Sequence, residues 1–245
     1  MMPKVSIVIP FYNCPYVDQA IASALAQTYP NVEVIVVDDG SNQHSERIVP
    51  FLDRTHYIGK ANGGTASALN CGIHMASGEY VAWLSSDDLF KPNKLAVQIP
   101  FMQENEALIS YTPFDKIDGT GQLLQSSIAV RFPNQAELIR SFLDGDAING
   151  CTVVMKKELC AQVGMFNEKL NYTHDYDLWM RVALAGIPIH FLDESLIMYR
   201  WHDQMGTLKH SKVIKLETRS TRKRYCKQLK GLVKRWEASP WLPPL

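Results

Sequence analysis

The sequence has no uninterrupted apolar run approaching the roughly 18–20 residues that a membrane-spanning helix needs. It also lacks a signal-peptide core. Met1–Pro10 carries one lysine and a short apolar run, and Tyr12, Asn13 and Cys14 follow at once. The expectation is a cytosolic chain. Its five cysteines (Cys14, Cys71, Cys151, Cys160 and Cys226) form no CxxC pair, which argues against a zinc knuckle and a disulfide framework. Glycine and proline, 14 and 13 residues, show no period, and no repeat occurs at solenoid spacing. A GxxxxGK[ST] loop is absent, since Gly59-Lys60-Ala61 lacks the upstream glycine and the hydroxyl. Gly119-Thr120-Gly121 is a lone GxG, and no GxSxG or HExxH is present. These absences remove the P-loop enzymes, serine hydrolases and zinc proteases.

What remains is an ordinary globular composition of 245 residues, 46% hydrophobic and 20% charged, with 25 basic and 25 acidic residues. The balance hides an asymmetry. Residues 1–206 hold 14 basic and 23 acidic residues, and residues 207–245 hold 11 and 2. The chain is an acidic body with a basic tail.

Val5–Pro10 and Val32–Val37 are β-branched runs that read as strands buried on both faces. His56–Ile58, Tyr80–Leu84, Leu108–Thr112, Thr152–Met155 and Ile187–Leu192 read as further strands. Helices are expected after Pro15, over 45–53, from Ala66 to Ala76, from Pro92 to about Glu104 and over Asp175–Ala185. Residues 115–134 look like a turn-rich excursion. The alternation predicts an α/β domain: a mainly parallel mixed sheet with helices on both faces. Sites in such sheets lie at the C-terminal ends of the strands. Asp38-Asp39-Gly40-Ser41 and Ser85-Ser86-Asp87-Asp88 both fall there. Adjacent carboxylates repel unless a cation lies between them, and oxygen ligands suit magnesium or manganese. Taken singly, each cluster also fits a helix cap or turn.

Six segments carry a resemblance: VSIVIPFYN (5–13), AQTYP (26–30), VVDDGS (36–41), NGGTASALN (62–70), GEYVAWLSSDDL (78–89) and HDYDLWMR (174–181). Together they resemble inverting glycosyltransferases of family 2, with the GT-A, Rossmann-like fold, over about residues 4–206. The resemblance implies a donor-binding half (about 1–113) and an acceptor half (about 114–206). It implies that Pro10, Tyr12, Asp39 and Asn62 line the donor nucleotide and that Asp87 touches the ribose or sugar. Asp88 and His202 would hold a divalent metal, manganese or magnesium, on the diphosphate. Asp175 would be the general base. The expected donor is a UDP-sugar and the expected acceptor a saccharide or lipid-linked saccharide, with no nucleic acid partner. Two positions depart from the pattern: Ser85 stands where many relatives have the first acid of the metal motif, and His174 replaces the usual glutamate before the base. They lean towards a non-catalytic nucleotide-sugar-binding subunit. A sugar-phosphate nucleotidylyltransferase is a further alternative, but Pro10–Cys14 lacks the glycine-rich basic loop it requires.

In the tail, 207–245, Tyr225, Leu229, Leu232, Val233 and Trp236 recur at helical spacing. Such a basic amphipathic helix either lies on an anionic membrane surface, placing the protein at the inner face, or docks its stripe on the domain.

Overall fold

The computed structural model describes residues 2–237. Val5–Phe11 forms β1, with all seven residues buried. After α1 (Val17–Leu25), β2 (Val32–Asp38) pairs with it in parallel, Val5 opposite Val32 and Phe11 opposite Asp38. A 3-10 turn over Ser45–Phe51 takes the place of the expected helix and contains Pro50, which has no N–H for a longer ladder. Then come β3 (His56–Gly59), α2 (Thr65–Met75) and β4 (Tyr80–Trp83). β3 joins β2, and β4 joins the other side of β1, both in parallel. The β-branched residues of β1 and β2 are apolar on both faces because helices cover both.

The later elements are β5 (Leu89–Phe90), α3 (Lys94–Glu104), β6 (Ile109–Tyr111), β7 (Phe114–Ile117), β8 (Leu123–Ile128) and α4 (Gln135–Ser141). They continue through β9 (Val154–Lys156), α5 (Lys157–Val163), α6 (His174–Leu184), β10 (His190–Phe191), β11 (Ile197–Arg200), α7 (Gly206–Lys209) and α8 (Ser211–Glu237). The main sheet has the order β10-β6-β9-β4-β1-β2-β3, with β9 antiparallel to both neighbours. The expected mixed, mainly parallel sheet is therefore present. A second sheet, β5-β11-β7-β8, stands beside it.

That second sheet corrects the reading of 115–134 as a turn-rich excursion. Phe114–Ile117 and Leu123–Ile128 form an antiparallel hairpin with register shifts. Five of the six β8 residues are exposed, so no apolar alternation marks the strand. The strand expected over Ile187–Leu192 shrinks to His190–Phe191, preceded by Pro188, which cannot donate to a ladder.

In α8 the expected apolar stripe faces the protein. Leu229, Leu232 and Val233 are buried, Tyr225 and Trp236 pack half-buried on the core, and the helix lies against α4 and α6. Of the two arrangements open from the sequence, this is the docked one. Arg140 on α4 pairs with Glu237 at its far end. The end of the tail, 238–245, lies outside the described residues. Among the described residues no helix is long and apolar enough to cross a membrane.

Candidate functional site

The C-terminal ends of β1, β2 and β4 open into a cleft of about 900 Å³. Pro10, Tyr12, Asp39, Asn62, Asp87, Asp88, Asp175 and His202 all line it. The eight residues singled out from the sequence, spread over 10–202, thus share one cavity.

On the β2 side the two aspartates separate. Asp38 closes the turn after β2, accepting from the Ser41 N–H at 2.8 Å and from the Tyr57 hydroxyl at 2.8 Å. Asp39 is buried and faces a loop of opposite charge. Its Oδ1 accepts from Lys60 Nζ at 2.6 Å and from the Gly63 N–H at 2.9 Å, and its Oδ2 accepts from the Gly64 N–H at 2.7 Å. Gly64 adopts φ +86°, a left-handed conformation that a side chain resists, and this turns its N–H onto the carboxylate. The sequence reading missed Lys60. Asp39 keeps acceptor capacity at Oδ2, which has a single partner here.

The β4 side is organised by Arg200, which the sequence reading also missed. Its backbone N–H donates to Asp88 Oδ1 at 2.8 Å, and its Nε donates to the Asp87 carbonyl at 2.8 Å. Its remaining donors reach Gln19, Asp118 and Gly119, and its guanidinium lies 4.4 Å from the Tyr16 ring centroid. The guanidinium is buried among fixed acceptors, so the loop after β4 is held in one geometry. Asp88 is 1% exposed, and its Oδ2 has no hydrogen-bond partner. Burial first, and then neighbouring Asp87, push its carboxyl well above the usual range. His202 Nε2 meets Asp87 Oδ2 at 3.1 Å. Ser85 turns its hydroxyl to the buried Cys151 Sγ at 2.9 Å. Among the described residues no group of three or more His, Cys, Asp or Glu is arranged to hold a metal. The orphaned oxygen of Asp88 beside a second carboxylate nevertheless fits a hard divalent cation, whose other ligands would come from a phosphate or water.

The start of α6 lines the same cleft. Asp175 is in its first turn, where its Oδ1 accepts from the Tyr176 N–H at 2.8 Å. Desolvation raises its carboxyl above the ordinary value, and the neighbouring His174 opposes the shift. Asp146, in the loop after α4, lines the same cleft and was not singled out from the sequence. Its carboxyl opens onto the cleft, yet the surrounding protein wall and the charge of Asp175 push it well up. His174 is 4% exposed, and both its ring nitrogens lack partners. It packs between Trp83 and Phe166, with ring centroids 5.5 and 5.6 Å away, and burial lowers its pKa. Gly150 lets the loop carrying Cys151 lie on Trp83, because a Cβ there would fall 2.1 Å from the indole.

The geometry is a cleft lined by carboxylates from the strand ends and from the start of α6. Residues 6–164 match the profile of the family described as glycosyl transferase family 2. The chain belongs to that family. A glycosyltransferase of Rickettsia conorii is 41% identical over 84% of this chain, which spans 35% of that protein's length. An Escherichia coli relative, the UDP-Glc:alpha-D-GlcNAc-diphosphoundecaprenol beta-1,3-glucosyltransferase WfaP, is 29% identical over 82% of this chain and 78% of its own. The crystal structure of residues 1–349 of S. aureus TarS in complex with UDP-GlcNAc superposes with a TM-score of 0.68 and 21% identity. The superposition covers 82% of this chain and 60% of that one, and at this identity it supports the shared GT-A fold. The family match ends at residue 164, before α6, so Asp175 and His202 lie beyond it.

Proposed function

We propose that this chain transfers a sugar from a UDP-sugar to an acceptor hydroxyl with inversion at the anomeric carbon. The observation that carries the reading is the meeting, in one cleft, of Asp39 and the Asp87–Asp88 pair with Asp175 at the start of α6. Asp39 Oδ2 accepts a uracil N–H while Lys60 and the two glycine N–H groups hold the carboxylate still. Asp175 takes the proton of the acceptor hydroxyl as its oxygen attacks the anomeric carbon. The new C–O bond forms on the face opposite the breaking bond to the diphosphate, and UDP departs. A desolvated carboxylate with a raised pKa is a stronger base than an exposed one, which suits this role. Asp88, through its free Oδ2, and Asp87 beside it would hold manganese or magnesium, with His202 fixing the Asp87 side chain. When bound, such an ion stabilises negative charge on the leaving diphosphate.

UDP is favoured as the donor nucleotide because the E. coli relative is named for UDP-Glc and the TarS structure contains UDP-GlcNAc. A lipid-linked saccharide is the acceptor class that the name of the E. coli relative suggests. Calorimetric titration with UDP, GDP and dTDP, each with manganese and with EDTA, tests the donor side. The expected result is binding of UDP that manganese strengthens. Equal affinity in EDTA would remove the metal, and turnover-free binding would favour a nucleotide-sugar-binding subunit.

A peripheral membrane contact at the inner face belongs to the same proposal, in an altered form. The apolar stripe of α8 is used inside the protein, so the contact is electrostatic. A separate groove of about 580 Å³ runs along α8 between Arg219, Arg222, Lys223, Lys227 and Lys230. Basic groups near an anionic leaflet contribute about 1 kcal/mol each and are screened by salt. Flotation with phosphatidylglycerol vesicles is expected to fall several-fold between low and physiological salt, and again in a Lys223→Glu, Lys227→Glu, Lys230→Glu variant. Salt-independent flotation would exclude this contact.

A further inference from the structure

The C-terminal helix sets a carboxylate against the turn that leads into α6. Glu217 Oε1 accepts from the Asn171 N–H at 3.1 Å. Its Oε2 accepts from the Tyr172 N–H at 3.0 Å, the Thr173 N–H at 3.1 Å and the Thr173 hydroxyl at 3.1 Å. Three consecutive backbone N–H groups form a nest whose partial positive charge suits an anion. Thr173, the residue before α6, makes no side-chain cap bond to the helix, so its hydroxyl and N–H are both given to Glu217. Two residues on is Asp175. Neighbouring contacts from α8, and from His210 just before it, act on the start of α6 and on the turn that leads into it. The Tyr225 hydroxyl donates to Asp177 Oδ1 at 3.0 Å, Arg224 lies 3.5 Å from that oxygen, and His210 stacks on Tyr172 with centroids 4.6 Å apart.

We infer that Glu217 is a positioning residue for Asp175: its carboxylate holds the entry turn of α6 and thereby sets where Asp175 meets the acceptor hydroxyl. The inference rests on Asp175 as the base. It extends the site to α8, which lies wholly beyond the 6–164 family match. Asp175 and its turn are faced by His174 and Asp177 from α6 itself, Asp146 from the loop after α4, Tyr172 from the turn, and Glu217 from α8. Desolvation is the main reason the Asp175 carboxyl is raised, and the Glu217 charge adds a smaller push in the same direction. Glu217 therefore supplies both position and charge. A residue that merely anchors α8 supplies neither to the reaction.

The test is Glu217→Gln in the full chain. Glutamine keeps the shape but loses the charge and turns an amide N–H₂ into a nest of donors. A small displacement of a reacting group costs about ten- to a hundredfold in rate. The expected result is a kcat lower by that factor, with the donor KM within about twofold of wild type. The acidic limb of the kcat–pH profile moves to lower pH, because one anion facing Asp175 is gone. Glu217→Asp restores the charge and recovers the wild-type limb with part of kcat. An unchanged kcat and limb in Glu217→Gln, with a lower melting temperature, overturns the inference and leaves an anchor for α8. If Glu217→Gln shows no folded transition, Glu217→Asp decides, and wild-type kcat in that shortened variant overturns the inference. Asp175→Asn is measured alongside. Activity there removes the base itself, whereas an inactive Asp175→Asn with a wild-type Glu217→Gln removes the positioning role alone.

Discussion

Asp175→Asn is expected to lower sugar transfer by about a thousandfold or more, with UDP affinity unchanged within about twofold. General-base catalysis contributes about 10²–10⁴ in rate, and an amide cannot take the hydroxyl proton. Asp175 is carried by the start of α6 and not by the strand ends that present Asp39 and Asp87–Asp88, the groups assigned to the donor, so donor binding is left alone. The pH dependence has a definite sign. Desolvation raises the Asp175 carboxyl in the folded state, so the base form disappears as pH falls through a value above the ordinary carboxylate range. The acidic limb of kcat belongs in that raised window. Stability runs the other way. Between the unfolded and the raised folded pKa, the folded state binds more protons, so stability falls as pH rises through the window. The amide removes this cost, so Asp175→Asn should melt at the same temperature as wild type or higher at neutral pH. Loss of turnover with no loss of stability separates a reacting group from a structural one. Transfer within tenfold of wild type would remove the assignment.

How much of this was legible beforehand follows from the distances over which each residue acts. Asp39, Asp87 and Asp88 each follow an apolar β-branched or aromatic run, and a parallel sheet brings such strand ends together whatever the details of its loops. Asp175 heads a run with helical period, so its place on a helix start was visible too. Arg200 was not. It acts on the loop after β4, on α1 and on the turn after β7 at once, and no local spacing records those contacts. Lys60 looked like a failed phosphate loop because its partner, Asp39, is 21 residues earlier. Glu217 sat in a tail whose basic character suggested a surface, while its partners are backbone N–H groups that carry no side-chain signal. The stripe of α8 was legible as amphipathic, but the pattern is the same for a protein and a lipid partner. The β7–β8 hairpin escaped because its outer strand is almost wholly exposed and its leucines, Leu123 and Leu124, are adjacent rather than alternating, so no period-2 pattern marks it.

Asp88→Asn addresses the donor end and is expected to abolish the strengthening of UDP binding by manganese while leaving binding in EDTA within about twofold of wild type. The asparagine keeps the structural half of the residue. Its Oδ1 still accepts the Arg200 N–H, the bond that fixes the loop after β4. Lost is the ability of the orphaned oxygen, Oδ2, which has no hydrogen-bond partner, to give up its proton to a cation and ligate it. An amide nitrogen in that place repels a cation rather than ligating it. Removing a group that acts on the metal typically costs about 10–100-fold in metal affinity or activity, and the loss of a ligand belongs at the upper end. Transfer should fall at least as far, because charge on the departing diphosphate is then stabilised by fewer groups. Asp87→Asn separates the two carboxylates. Asp87 already spends one oxygen on His202, so its replacement should weaken the manganese effect less than that of Asp88. Asp88→Asn with an undiminished manganese effect would move the cation off the strand end and leave the orphaned oxygen without a role. The Ser85 hydroxyl is turned to Cys151 Sγ, so in the proposed site the protein's share of the ligands falls to Asp87 and Asp88.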